Sequence, residues 1–234
     1  YQKTSDAIDK KIVSYIDCGK IENIFKQKFT INNNDTDFVN RLYNILSKQN
    51  CTETEFHFQV SKRLYEMLPS SSSASKLGKI CIKRKEFNEA LEYFDMAVQS
   101  EKDKDKKAKY LLEKADAYRI SKNYSSATLT AKQSIELKKN WGEAFITIGN
   151  IYVAGASNCS SDFVKSTVYW VAVDYFTKAL SDESTNERAR KSINTYSKYF
   201  PTKEECFFNG SLQSGDSYTV ECWINKRTTV RTSD

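Results

Sequence analysis

Few side chains in this sequence combine the residue types and the spacing that catalysis requires. The one histidine, His57, lies among Phe56, Phe58 and Val60 in a segment with helical periodicity. A histidine acts as a general base near neutral pH only when a second reactive group lies within hydrogen-bond reach. The sequence indicates no such partner, and we therefore interpret His57 as an ordinary packed or surface residue.

The other candidate reactive groups are carboxylates and cysteines. Glu204-Glu205 and Asp103/Asp105 are pairs only along the sequence, and no pattern predicts a pocket around them. The sequence contains no phosphate-binding glycine loop and no GxSxG or HExxH motif. None of its 6 cysteines falls in a CxxC pair, and one histidine cannot complete a zinc site of the usual kind. We predict no enzyme, no metal site and no cofactor. An enzyme with an unrecognised site is an alternative.

The residues that organise the chain lie between positions 71 and 104. They alternate small and bulky side chains in a set order: Leu77, Gly78, Cys81, Ala90, Phe94 and Ala97. A helical hairpin needs small residues where its helices cross and bulky ones to fill the remaining space. This spacing is that of the tetratricopeptide repeat (TPR), W-x2-L-G-x2-Y followed by A-x3-F. One hairpin cannot bury its apolar face alone, so the pattern predicts neighbouring hairpins.

Equivalent positions recur at an interval near 34 residues. Ala115 lies 37 residues after Gly78, Gly149 lies 34 after Ala115, and Ile45 lies 33 before Gly78. Three matching units and one degenerate unit predict an all-α fold, an αα superhelix of TPR-like hairpins. The composition agrees, because only 7 glycines and 2 prolines interrupt long amphipathic windows. An unrelated helical bundle is the alternative.

The array has predicted borders at 36/37 and 200/201. Residues 1–36 are predicted as a helical cap, because Ile8, Ile12 and Ile16 recur at helical spacing before Gly19, a helix-stop residue. A second helix of this cap covers residues 21–29. Residues 37–200 hold about four repeats and a closing helix from 186 to 199.

The fourth repeat contains an insertion near residues 154–165. Ala172 stands 23 residues after Gly149, where an ordinary unit places about 12, so about 11 residues are added. The second helix of this unit is predicted to begin at Val168. The inserted loop either binds a partner or is a tolerated surface loop.

Residues 201–234 are predicted to form a small β-hairpin or meander. The segment 218–224 alternates with the two-residue period of a strand, and segments 206–212 and 228–231 are its predicted partners. So short a sheet is not stable alone and must dock on the last helices. Cys206 and Cys222 would lie on adjacent strands, which predicts a possible disulfide between them. Cys159 is the competing partner.

Charge and hydropathy limit the classes of partner. The net charge of +6 comes from 36 basic and 30 acidic residues that are mixed along the chain. This balance indicates a solvated surface, and we predict no nucleic-acid partner. No apolar run approaches the roughly 20 residues that cross a bilayer, so no membrane span is predicted. An even number of cysteines is compatible with disulfides in an oxidising compartment.

Three segments, together with the tandem units, resemble a group of bacterial envelope proteins. The segments are Trp141-Gly142 before the fourth unit, the stretch 168–174, and the ending from Trp223 to Arg231. The group consists of exported TPR proteins with a short β tail, and the resemblance covers residues 37–231. It implies a periplasmic or cell-envelope location and no known catalysis, and it names no partner.

A TPR array binds through its curvature, because first helices line a groove that contacts an extended peptide or a protein. The candidates for a mixed-charge binding face are Lys79, Lys83, Lys109, Asp116, Arg119, Glu143 and Asn150. Asp116 and Glu143 would repel a peptide carboxylate, so we do not predict a clamp for peptide C-termini. For each residue the alternative is a solvated helix surface.

The predicted function is a non-catalytic scaffold that binds a protein or peptide in the concave groove. The first alternative is a structural subunit of an envelope assembly that docks through the β tail.

Overall fold

The computed structural model describes residues 17–233, which form eleven α-helices and one two-stranded antiparallel sheet. By their contacts these elements fall into two compact units, one ending at Ser100 and the other beginning at Glu101. We call them unit 1 and unit 2. The borders expected from the sequence at 36/37 and 200/201 stay predictions.

Unit 1 contains α1 (Cys18–Asn32), α2 (Thr36–Lys48), α3 (Glu55–Met67), α4 (Ser71–Lys83) and α5 (Phe87–Ser100). Unit 2 contains α6 (Lys104–Ile120), α7 (Tyr124–Leu137), α8 (Gly142–Gly155), α9 (Asp162–Ala179), α10 (Asn186–Tyr196) and α11 (Lys203–Phe208). Single-turn 3₁₀ helices follow α8 (Ala156–Asn158) and α10 (Ser197–Tyr199). The strands are β1 (Ser217–Val220) and β2 (Lys226–Thr229).

The hairpin of α4 and α5 has the small-and-large packing that the repeat pattern predicts. Ser70 begins α4 as its N-cap and accepts a hydrogen bond from the Ser73 amide. A Cβ atom on Gly78 would lie 3.0 Å from the buried Phe94 ring, so the helices cross closely at this glycine. The prediction of TPR-like helical hairpins is confirmed.

The helix α1 begins where the sequence indicated a helix stop. Asp17 caps α1 by accepting from the Lys20 amide, which places Gly19 in the first turn. The capping hydrogen bond of Asp17 stabilises the start of the helix by more than the one exposed glycine, Gly19, destabilises it. Cys18 forms a disulfide with Cys51, and α1 buries Ile21 and Phe25. The predicted Ile8, Ile12 and Ile16 stripe lies outside the described residues.

Unit 2 is built from the hairpins α6–α7 and α8–α9, with α10 packed on α9. A Cβ atom on Gly149 would lie 2.4 Å from the Phe176 ring, an even closer approach than at Gly78. Phe176 is fully buried, and burial of a side chain of this size contributes about 1.5–3 kcal/mol. The core of unit 2 surrounds this crossing.

The insertion in the fourth repeat lengthens a helix instead of forming a long loop. The helix α9 begins at Asp162, six residues before the predicted start at Val168. Ser161 caps it by accepting from the Val164 amide at 3.2 Å. The remaining inserted residues form the 3₁₀ turn and a short connection after α8.

The C-terminal region contains one β-hairpin, and the prediction of a strand at 206–212 is wrong. Lys203–Phe208 is the helix α11, because Thr202 and Glu205 form a reciprocal capping box. The sheet pairs Ser217 with Thr229 and Val220 with Lys226. The strand predicted to reach position 224 therefore ends at Val220.

The prediction of a disulfide between Cys206 and Cys222 is also wrong. Cys222 pairs with Cys159, whose Cα lies 5.6 Å away, so the competing partner forms the bond. Cys206 is on a helix rather than on a strand beside Cys222. It is buried in the unit 2 core and lies outside both disulfides.

Candidate functional site

Three of the exposed side chains of α4 form a stripe of one charge. Lys76, Lys79 and Lys83 are exposed at spacings of three and four residues, which places them on one side of the helix. The helix contains no acidic residue. We call these residues the lysine stripe. It contains two of the predicted binding residues, Lys79 and Lys83, and adds Lys76.

The lysine stripe lies against the preceding hairpin of unit 1. The Lys76 ammonium is 5.7 Å from the centre of the Tyr43 ring on α2. Lys83 donates a hydrogen bond to Thr52 Oγ1 at 2.9 Å, in the turn between α2 and α3. The stripe therefore lies along the side of α4 that faces Tyr43 of α2 and the turn that follows α2.

Beneath this surface lies the buried His57. Its Nε2 is 3.1 Å from Ser47 Oγ, and its ring centre is 5.4 Å from that of Tyr43. Nδ1 has no hydrogen-bond partner within the described part of the chain. Burial, with a further contribution from the Lys83 charge, lowers the pKa of His57 to about 4. His57 is thus a packed, neutral residue at physiological pH.

A second cluster in unit 1 brings together groups that the sequence analysis did not connect. Cys81, Glu86 and Glu89 lie close enough to offer ligand atoms to one metal ion. Lys62 donates to Glu89 at 3.0 Å, and Arg84 donates to both oxygens of Glu86. Burial and the two carboxylates raise the pKa of the Cys81 thiol to about 12. The cluster is a network of ion pairs around a neutral thiol.

The predicted binding residues of unit 2 lie on α6 and α8. Lys109 and Asn150 are exposed, whereas Asp116 pairs with Arg119 at 2.7 Å on the same helix. Glu143, at the start of α8, pairs with Arg188 of α10. The sequence analysis missed Arg188 because it lies 45 residues from Glu143. The face consists mainly of internally neutralised pairs.

The C-terminal hairpin is anchored on α9. The Trp170 indole donates to the Arg231 carbonyl oxygen at 2.7 Å, and the Arg231 guanidinium donates to Asp174 at 2.8 Å. Asp174 also accepts from the Thr228 hydroxyl at 2.5 Å. The hairpin is therefore an integral part of unit 2.

The tip of the hairpin contacts α8. The Trp223 indole donates to the Gly155 carbonyl oxygen at 3.0 Å and stacks on Tyr152 with ring centres 5.5 Å apart. Burial raises the pKa of Tyr152 above its usual range. A third ring, that of Tyr124, lies 5.6 Å from Trp223. These rings form the pocket of the indole.

Large aromatic side chains are exposed near the C-terminal helices. Phe207 is 63% exposed and Phe208 is 74% exposed, and their ring centres lie 5.8 Å apart. Tyr199 is 54% exposed and stacks on Tyr169. No described helix has the length and hydropathy needed to cross a membrane.

The repeated hairpins and their close glycine crossings define an all-α helical-repeat protein. Its similarity to solved structures identifies the repeat. The crystal structure of the MamA protein matches 77% of this chain and 90% of that chain, at 17% identity and a TM-score of 0.54. The chain has the TPR fold.

Two further solved structures are more distant. YrrB, described as a TPR protein with an unusual peptide-binding site, covers 75% of this chain and 82% of its own, at 15% identity and a TM-score of 0.47. The C-terminal part of a TPR repeat-containing protein from Cytophaga hutchinsonii covers 88% of each chain, at 14% identity and a TM-score of 0.34. No family model and no curated protein matches the sequence.

Proposed function

We propose that this chain is a non-catalytic scaffold that binds a protein or peptide partner on the first-helix faces of its hairpins. The observation that carries the proposal is the lysine stripe of α4, a row of exposed cations on a helix without an acidic residue. Repeat proteins bind partners on such faces, since the stacked helices offer surface rather than a closed pocket.

The stripe favours an extended partner segment rich in aspartate and glutamate. Each exposed ion pair contributes about 0.2–1 kcal/mol, so several pairs are needed for stable binding. Because exposed charges are screened, the affinity should fall as salt is added. Within unit 2, Lys109 and Asn150 are proposed as partner contacts of that unit, and the Asp116–Arg119 and Glu143–Arg188 pairs as its determinants of specificity.

A charge-reversal experiment tests the lysine stripe. The full chain is titrated with a fluorescent Asp/Glu-rich peptide, and the variant Lys76→Glu/Lys83→Glu is compared with Lys132→Glu/Lys139→Glu. The control lysines are exposed on and just after α7, a second helix, and change the net charge equally. We expect at least about tenfold weaker binding for the stripe variant and about twofold or less for the control. Equal weakening in both variants would contradict the proposal.

A second candidate is a structural subunit of an envelope assembly that docks through residues 201–233. The exposed Phe207 and Phe208 favour it, because adjacent exposed aromatic rings are common at interfaces. The variant Phe207→Ser/Phe208→Ser separates the two candidates. If it abolishes binding of a captured native partner while the stripe variant retains it, docking through the C-terminal region is correct.

We further propose an exported, periplasmic or cell-envelope location. The two disulfides support it, since such bonds persist in oxidising compartments. The absence of catalysis is also a proposal, based on the TPR fold and on the neutralised carboxylates around Cys81. Quantifying the protein in periplasmic and cytoplasmic fractions of its native cells tests the location, and recovery mainly from the cytoplasm would contradict it.

A further inference from the structure

We propose that the Cys159–Cys222 disulfide is a redox-sensitive latch that holds the tip of the C-terminal hairpin on α8. The bond joins the connection after α8 to the turn between β1 and β2. The next residue, Trp223, inserts its indole into the pocket formed by Tyr124, Tyr152 and Gly155. The disulfide therefore fixes Cys222, the residue next to Trp223, and so keeps the indole at its pocket.

The two disulfides of the chain differ in how they can be attacked. A thiolate must approach one sulfur in line with the bond, so access to that sulfur controls the rate. Cys222 is exposed and Cys159 is 6% exposed, which leaves the Cys222 side open. Cys51 is 1% exposed and Cys18 is half-buried. We expect the latch to be reduced first.

The backbone at the latch is held in an unfavourable conformation. Cys222 has a φ angle of +69° and Asn225, which ends the same turn, has +42°. Residues with a Cβ atom rarely adopt this left-handed region, and surrounding bonds must hold them there. Once the disulfide opens, Cys222 is free to relax toward an extended conformation and to carry Trp223 away from its pocket.

The reductant that fits this site is a dithiol of the thioredoxin-like class. Its thiolate attacks Cys222 Sγ and forms a mixed disulfide, while the Cys159 sulfur leaves as a thiolate and takes up a proton. The second thiolate of the reductant then attacks its own partner sulfur in the mixed disulfide. The Cys222 thiolate leaves and is protonated. Two electrons pass to the chain, and the reductant becomes a disulfide.

The opening is confined to the tip of the hairpin. The hydrogen bonds of Asp174 with Thr228 and Arg231, and that of Trp170 with the Arg231 carbonyl, do not involve the turn. They keep the base of the hairpin on α9. Reduction therefore exposes an aromatic pocket on α8 without releasing the whole C-terminal region.

The test uses the oxidised full chain, which is incubated with dithiothreitol at one fixed concentration and sampled in timed steps. Reduced cysteines are alkylated at each step and quantified by peptide mass spectrometry, while tryptophan fluorescence reports the Trp223 environment. We expect reduction of Cys159–Cys222 at a rate at least about tenfold higher than that of Cys18–Cys51, because a thiolate reaches the Cys222 sulfur directly. A red shift in the fluorescence should accompany it, and helical circular dichroism should be kept.

Two variants control the fluorescence signal. Trp223→Phe should abolish the shift, and Cys159→Ser/Cys222→Ser should show the emission of the reduced chain without any reductant. The alkylation result needs no variant and stands by itself. Reduction of both disulfides at the same rate, earlier reduction of Cys18–Cys51, or an unchanged emission after the latch is reduced would each overturn the proposal.

Discussion

The Trp223 indole donates its N–H to the carbonyl oxygen of Gly155 at 3.0 Å, although the residues are 68 positions apart. A Cβ atom on Gly155 would lie 2.4 Å from the indole and 3.0 Å from the Tyr124 ring. The last residue of α8 must therefore lack a side chain for the hairpin tip to close on it.

Gly155→Ala should destabilise unit 2, because the added methyl group collides with the indole. We expect about 1–3 kcal/mol from overpacking, measured by urea unfolding followed by tryptophan fluorescence. The control is a double-mutant cycle with Trp223→Ala, which removes the atoms in collision. An equal cost of Gly155→Ala with and without the indole would show that the contact is not its cause.

Asp174→Ala should loosen the base of the hairpin. The variant removes the acceptor of the Thr228 and Arg231 hydrogen bonds, and a bond to a charged group contributes about 1.5–3 kcal/mol. We expect amide exchange in β2 to be about 30-fold faster, which corresponds to about 2 kcal/mol. The control is Asp162→Ala, whose side chain is 94% exposed. Equal acceleration of β2 exchange in both variants would refute this role.

The repeat hairpins could be predicted from the sequence because both members of each crossing lie within one period. Gly78 meets Phe94 and Gly149 meets Phe176, so a short window contains the small residue and the ring that covers it. The starts of α4 and α9 are also set by nearby residues. Ser70 and Ser161 cap these helices and lie three residues ahead of the amides that they bind.

The long-range pairs could not be predicted in this way. Glu143 with Arg188 and Gly155 with Trp223 join segments that are 45 and 68 residues apart, and no periodicity links their positions. The strand prediction for the C-terminal region was wrong at residues 206–212. The capping box at Thr202 stabilises a helix in residues that could otherwise extend as a strand. With that helix in place, Cys206 cannot reach the position expected for it.

Gly149→Ala and Gly78→Ala should differ although the glycines are equivalent in their repeats. Alanine favours a helix by up to about 1 kcal/mol over glycine, and both variants share that gain. At Gly149 the Cβ atom would lie 2.4 Å from Phe176, so overpacking of about 1–3 kcal/mol should dominate. At Gly78 the nearest atom is at 3.0 Å, and we expect a change within about 1 kcal/mol.

The two units can be followed separately in this experiment. Trp141, Trp170 and Trp223 all lie in unit 2, so their fluorescence reports Gly149→Ala. Hydrogen exchange of the α4 and α5 amides reports Gly78→Ala. A larger loss for Gly78→Ala than for Gly149→Ala would contradict the geometric argument.

Acid should loosen unit 1 through His57. Its pKa is lowered from 6.5 to about 4 in the folded chain, so the unfolded chain binds the extra proton between these values. The free energy of unfolding is therefore highest, as far as His57 is concerned, above pH 6.5. It decreases by at most about 3 kcal/mol as the pH falls toward 4. The protection factors of the α2 and α3 amides, which correct the exchange rates for their intrinsic pH dependence, should fall over this range, and His57→Gln should remove that fall. If His57→Gln leaves the acid response unchanged, other groups cause it.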